Sequence, residues 1–253
     1  MTHATRYRAT LAYVGTDFHG WQAQANASRT VQAVLEKALR QFARAASRPV
    51  AAGRTDAGVH ADGQVVHFDL PREEDPARVR AAVNGLLPWD VRLIETAPAP
   101  SDFHARRDAV WKEYLYRWSR SPVILPRESL FVSPIAAAAD TGRMIAAAAC
   151  LAGDHDFGVF GVRQPKGASS TRRLYSVEIR ERGNEICALF RGDAFLRGMV
   201  RSICGVLADV ARGKAPVERV GELLRTGDRR LLAPKAPAKG LTLMRVAYGE
   251  LGG

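Results

Sequence analysis

The order of elements in this sequence predicts an α+β fold. It consists of two ferredoxin-like (RRM-like) βαββαβ halves forming a mixed, mainly antiparallel sheet, with helices on one face and a cleft on the other. Three observations predict it. Residues 6–14, RYRATLAYV, alternate Tyr7, Ala9, Leu11 and Tyr13 with Arg6, Arg8, Thr10 and Ala12, the two-residue period of a strand. Residues 30–46 then place Val31, Val34, Leu35, Ala38, Leu39 and Phe42 on one helical stripe. The same succession of periods returns in the second half of the chain.

Each element has its own signal. Thr30 stands where a helix N-cap is needed, and a short strand precedes Gly53. After a glycine-rich loop, QVVHFDL at 64–70 reads as a strand. Asp75 and Pro76 open a helix over 75–87, as cap and first helical residue, and VRLIETA at 91–97 returns as a strand. In the second half the patterns predict a strand at 109–120, a helix at 140–152, strands at 171–181 and 184–192, helices at 194–212 and 216–225, and a strand at 242–248. Prolines and charges interrupt the periodicity over APAPSDFHARRDA, 97–109, which sets the expected division at residues 1–104 and 105–253.

Composition narrows the function. With 253 residues, 47% hydrophobic and 25% charged, the chain can bury a sizeable core, so disorder is not expected. Thirty-seven Lys and Arg against 26 Asp and Glu leave a formal charge of +11, which points to a polyanionic partner. The first two dozen residues hold no apolar run of signal-peptide length, and the alanine-rich stretch at 135–152 is broken by Asp140 and Arg143. A cytoplasmic protein without a membrane span is therefore expected. Cys150, Cys187 and Cys204 are widely separated, without a CxxC pair, and read as reduced cysteines. No GxxxxGK[ST] or GxGxxG loop supports a nucleotide cofactor, and His60 and His67 lack the spacing of metal ligands.

Three stretches could carry chemistry. GRTDAGVHA at 53–61 sets Asp56 beside Arg54 in a loop too rich in glycine for a helix. Such a loop either is an ordinary turn or presents the carboxylate outward, where a ligand can approach the main chain closely. In WKEYLYRW, 111–118, alternation puts Lys112, Tyr114, Tyr116 and Trp118 on one face, which either packs in the core or stacks a nucleobase. The helix predicted over 194–212, with Asp193 as its cap, carries Arg201 among Met199, Val200, Ile203 and Cys204. That arginine either snorkels to water or is partly buried, and a buried guanidinium requires a carboxylate, for which Asp56 is the candidate.

Together with GWQ at 20–22, NGLLPWDV at 84–91, DFHAR at 102–106, YLY at 114–116, HDF at 155–157, FLRGMVR at 195–201 and KGLTLMRVAY at 239–248, the segment GRTDAGVHADGQVVHF at 53–68 resembles the tRNA pseudouridine synthase A family. The segments occur in family order over nearly the whole chain. The resemblance implies Asp56 as the catalytic carboxylate, Tyr114 against the target uracil, Arg201 as the cationic partner of Asp56, and Arg54 as a contact to RNA near the displaced base. It also implies a homodimer acting on tRNA, with the target uridine in the anticodon stem-loop at tRNA positions 38–40. Val14, Ala23 and Glu113 depart from the family pattern, each removing or reversing a charge.

The implied reaction suits a single carboxylate. Uridine becomes pseudouridine when the C1′–N1 bond breaks, the uracil turns, and C1′ joins C5. A glycosidase needs a second carboxyl group to protonate its leaving group, whereas uracil leaves as a delocalised anion and is recaptured. No cofactor and no metal are expected for an isomerisation without redox change. Competing readings are a non-catalytic RNA-binding module or chaperone, and a base-excising nucleoside hydrolase. Basic residues after the HDF segment, Arg163, Lys166, Arg172 and Arg173, are candidates for RNA backbone contacts.

Overall fold

The computed structural model describes residues 4–23, 29–163, 165 and 167–249. Lys166 lies outside the described residues. Strands β1 (Thr5–Tyr13), β2 (Val50–Ala51), β3 (His60–Leu70) and β4 (Val91–Pro98) alternate with helices α1 (Val31–Phe42) and α2 (Pro76–Leu86). Strand β5 (Ala109–Ser119), a short helix α3 (Pro126–Ser129), strand β6 (Ser133–Pro134), helix α4 (Thr141–Ala148) and strand β7 (Gly153–Asp156) follow. Then come β8 (Thr171–Arg182), β9 (Glu185–Gly192), α5 (Met199–Ala211), α6 (Arg219–Thr226) and β10 (Leu241–Tyr248).

The chain forms two compact units, one of residues 1–110 with 243–253 and one of residues 111–242. In the first, β1 lies antiparallel between β4 and β3, and both β2 and β10 lie on the far edge of β3. The order 4-1-3-2 of its first four strands is ferredoxin-like. The two faces of β1 differ. Tyr7, Ala9, Leu11 and Tyr13 are all buried, and the Tyr7 hydroxyl donates to the Glu74 carbonyl 2.6 Å away, just ahead of α2. The face of Tyr7 is thus the one that helices cover, while Arg6 and Arg8 alternate onto the other.

Helix starts follow the predicted caps. Thr30 accepts from Ala33 N at the head of α1, and Asp75 accepts from Ala77 N and Arg78 N ahead of Pro76. In the second unit the strands run β5-β9-β8-β7, with β6 beside β5, and β5, β9 and β8 take the 1-3-2 order of the same topology. Its core centres on Tyr116, Trp118, Phe157, Phe160, Phe190 and the apolar side of α5.

One expected element changes. The helix predicted from residue 194 begins only at Met199, because Gly198 sits at φ +75°, a left-handed conformation that a right-handed helix cannot contain. Asp193 accordingly does not cap it. Its Oδ1 accepts from Arg173 N and Ala194 N, fixing the end of β9 to the start of β8. The stretch FLR at 195–197 is therefore a loop. No helix of the described residues is long and apolar enough to cross a membrane.

Candidate active site

Asp56 and Arg54 lie together in the first unit, on the loop between β2 and β3. That loop has no regular structure, and its shape comes from main-chain contacts to distant segments. Trp21 N donates to the Thr55 carbonyl at 3.1 Å and Gly58 N to the Phe18 carbonyl at 3.2 Å. Within the loop, Val59 N donates to the Asp56 carbonyl at 3.2 Å, closing a turn in which Gly58 adopts φ +77°. The Gly20 main chain comes so near that a Cβ there would lie 2.7 Å from the Thr55 carbonyl oxygen, and Gly20 itself has φ +84°. The glycine of GWQ is thus a spacing requirement of the Asp56 loop, 36 residues downstream.

Side chains reinforce this frame. Thr55, buried at 7% exposure, shares a 2.8 Å hydrogen bond with the Tyr13 hydroxyl at the end of β1. Burial holds the Tyr13 hydroxyl protonated, pushing its pKa up to about 12. Gln64 Nε2 donates to the Gly53 carbonyl, and His60 Nδ1 accepts from Gly15 N. Between these ties Asp56 is half-buried and Arg54 exposed. A carboxylate held on a fixed backbone and an arginine two residues away that reaches solvent can face a polyanion.

Tyr114 and Arg201 belong to the second unit. On β5 the face of Lys112, Tyr114, Tyr116 and Trp118 is buried throughout, which decides between the two readings of the aromatic row for part of it. Tyr116 and Trp118 are core, their ring centroids 4.4 Å apart and the Tyr116 hydroxyl donating to the Pro237 carbonyl. Tyr114 instead meets the half-buried Phe195 edge-on, at 5.0 Å and 77°. Arg201, half-buried in the first turn of α5, donates from Nε to the Ala236 carbonyl at 2.9 Å while its own carbonyl accepts from Ala236 N at 3.0 Å. That two-way tie anchors the segment 234–240 to the helix.

The departures from the family pattern have defined surroundings. Val14 N donates to the Asp90 carbonyl, and Ala23 N to Gln32 Oε1. Glu113 is neutralised across the strand pair by Arg191 at 2.9 Å, whose guanidinium also lies 4.6 Å from the Trp111 ring centroid. Arg163 is exposed, and Arg172 donates to the carbonyls of Ser169 and Thr171. His60 and His67 are both buried and both accept main-chain N–H groups at Nδ1. Among the described residues no group of three or more His, Cys, Asp or Glu is placed to hold a metal ion.

The half-buried Asp56 carboxylate thus lies on a braced loop in a basic α+β chain with repeated ferredoxin-like topology, and comparison with known proteins places that chain among the pseudouridine-forming isomerases. A family model described as tRNA pseudouridine synthase matches residues 9–108 and 147–249. The chain is 40% identical over 241 residues to tRNA pseudouridine synthase A of Chlamydia trachomatis serovar A, covering 94% of this chain and 90% of the relative. It is 39% identical over 247 residues to the Listeria welshimeri enzyme of the same name, at 96% and 99% coverage. With the Solidesulfovibrio magneticus enzyme of that name the identity is 42% over 254 residues, at 98% and 92% coverage. The chain belongs to the tRNA pseudouridine synthase family.

Proposed function

We propose that this protein converts uridine to pseudouridine in the anticodon stem-loop of tRNAs, at tRNA positions 38–40, with Asp56 as the catalytic carboxylate. The observation that carries the reading is the Asp56 loop, whose family motif is held in shape by main-chain ties to the GWQ segment. Preorganised placement of one reacting group is what such chemistry needs most from the protein.

In this mechanism the target nucleotide is extruded from its stack, and the Tyr114 ring takes over part of the lost stacking. Asp56 then acts on the ribose, either as a nucleophile at C1′ or as a base removing the proton at C2′. The C1′–N1 electron pair leaves with the uracil. The base turns and C5 joins C1′, breaking the Asp56–C1′ ester bond in the first route or with Asp56 returning its proton to C2′ in the second; the C5 proton is then lost and N1 gains one, so the product is an isomer of the substrate. The family resemblance supports Arg201 as the cation that keeps Asp56 ionised, because an adjacent positive charge favours the charged carboxylate. Arg54 contacts the RNA beside the displaced base. The reaction needs no cofactor or metal, and the family resemblance supports a cytoplasmic homodimer.

Incubation with tRNA transcripts followed by mapping of pseudouridine tests the reading. Product confined to tRNA positions 38–40 supports it, and sedimentation of the same sample reads the oligomeric state. Release of free uracil would replace it with a nucleoside hydrolase, and tRNA binding without product would replace it with an RNA-binding module. Deuterium at the ribose C2′ separates the routes for Asp56, since only proton removal there gives a primary isotope effect.

A further inference from the structure

Arginines in this protein are mostly occupied. Arg6 is held by Asp69, Arg29 by Asp90, Arg117 by Glu185 and Arg191 by Glu113, and Arg143 and Arg229 donate to main-chain carbonyls. Arg106 and Arg107 break this pattern. Both are exposed, they are consecutive, and neither guanidinium has an ion pair or hydrogen bond among the described residues.

Their backbone, by contrast, is tightly built. His104 Nδ1 accepts from Arg106 N at 3.2 Å and from Arg107 N at 3.3 Å, His104 N donates to Asp108 Oδ2 at 2.7 Å, and Asp108 N returns to the His104 carbonyl at 3.1 Å. Asp108, the nearest carboxylate in sequence, is thereby occupied with the turn itself. Ala105, fully buried, donates its N–H to His67 Nδ1, and the Tyr248 hydroxyl donates to the Ala105 carbonyl at 2.6 Å. Phe103 and His104 both pack against the His67 ring.

The register places this turn. His67 pairs with Arg8 across β3 and β1, and Arg6 Nη1 donates to the Phe103 carbonyl. The turn therefore rides on the face of the sheet opposite Tyr7. Arg8 adds a third guanidinium on that face, 4.5 Å from the Tyr248 ring centroid. Rigid presentation of unpaired, exposed guanidinium groups has a chemical meaning in a chain of formal charge +11. Free guanidinium groups match phosphate oxygens bidentately, and a fixed backbone reduces the entropy lost on contact.

We propose that the turn at 103–108 is a second contact to the tRNA, with Arg106 and Arg107 binding backbone phosphates and His104 as the positioning residue that presents them. The proposal rests on tRNA being the substrate, and its test reads binding separately from chemistry.

The experiment measures affinity for a tRNA transcript over a range of salt, together with KM and kcat. Arg106→Gln combined with Arg107→Gln should weaken binding about tenfold and flatten the logarithmic salt dependence by about one to two, since each lost phosphate contact removes roughly one unit. The loss should fall on KM rather than on kcat. Lysine at both positions should restore most of the affinity, because an ammonium still binds phosphate as a point charge. His104→Ala should weaken binding in the same direction, and His104→Asn, whose side-chain oxygen still accepts, should restore it.

The control removes the same charge elsewhere, by Arg182→Gln with Arg225→Gln. Both residues are exposed and without an ion pair among the described residues. An equal loss in the control would show a uniform field and overturn the proposal, as would wild-type affinity in the Arg106 and Arg107 variant. A wild-type protein that binds tRNA but forms no pseudouridine would overturn the proposed activity and leave this contact standing.

Discussion

The two units place their candidate site residues by different means. In the first unit Asp56 sits on a stretch with neither helix nor strand, and its position follows from N–H and carbonyl groups of residues 15–21. In the second unit Tyr114 and Arg201 sit on a strand and a helix, where ladder and helix hydrogen bonds already set the backbone and side-chain packing does the aiming. A reacting group tolerates little displacement, and main-chain ties resist it without depending on rotamers. A stacking ring or a charge partner tolerates more.

The largest effect that can break this comparison is expected at Asp56. Asp56→Asn keeps size and the Val59–Asp56 main-chain turn but removes the anion, so turnover should fall by several orders of magnitude, as for other lost catalytic groups. Affinity for tRNA should survive, since deleting a negative charge cannot weaken attraction to phosphate. Undiminished turnover in a folded sample would reduce Asp56 to a turn residue.

Next comes the frame itself. Gly20→Ala places a methyl group 2.7 Å from the Thr55 carbonyl oxygen at φ +84°, so the loop must move. A displacement near 1 Å costs about a hundredfold in rate. Loss of kcat with little change in tRNA affinity would confirm main-chain positioning, and unchanged kcat would show that side chains set the loop.

In the second unit the expected effects are smaller. Arg201→Met removes the bond to the Ala236 carbonyl, worth about 1.5 to 3 kcal/mol for a hydrogen bond from a charged donor. Melting temperature and turnover should fall together, and a fall in neither would make Arg201 a bystander. At Tyr114, Phe keeps the ring against Phe195 whereas Ala discards it. Phe should retain most activity, and Ala should lose about 1 to 3 kcal/mol of base contact. Equal activity of Ala and wild type would mean that the ring only fills space.

The effect expected to be smallest on activity is a pH dependence of stability in the first unit. Burial, reinforced by Arg6, His104 and Arg107 nearby and opposed by Asp69, lowers the His67 pKa from 6.5 to about 4. Between those values the unfolded chain binds the proton and the folded one does not, so the contribution is present above pH 6.5 and lost as pH falls towards 4. Urea titrations over this range should show it, and His67→Gln should flatten the acid limb. An unaltered limb would place the loss in other groups.

Legibility in the sequence follows the same division. β1, α1 and α2 were readable because period and cap agree, as at Thr30 and Asp75. The late start of α5 was not, since Asp193 offers a cap in sequence while Gly198 adopts a left-handed backbone that only the folded chain reveals. β7, GDHD, has no apolar alternation, and its pairing with Thr171–Leu174 makes it a strand. At the site, the glycine pattern around Asp56 was visible. The role of Gly20, the double acceptance by His104 and the Arg201–Ala236 tie were not, because each joins main-chain groups that sequence patterns do not describe.

The Asp56 loop also has a consequence for its motions. The amide hydrogens of Trp21, Gly58 and Val59 all point to carbonyls inside this frame, two of them linking segments more than thirty residues apart. Exchange of those hydrogens with solvent deuterium then requires the two segments to separate, an opening larger than local fraying. A stretch without helix or strand should accordingly exchange on the slow timescale of the neighbouring β3, as part of the core that holds the Asp56 loop.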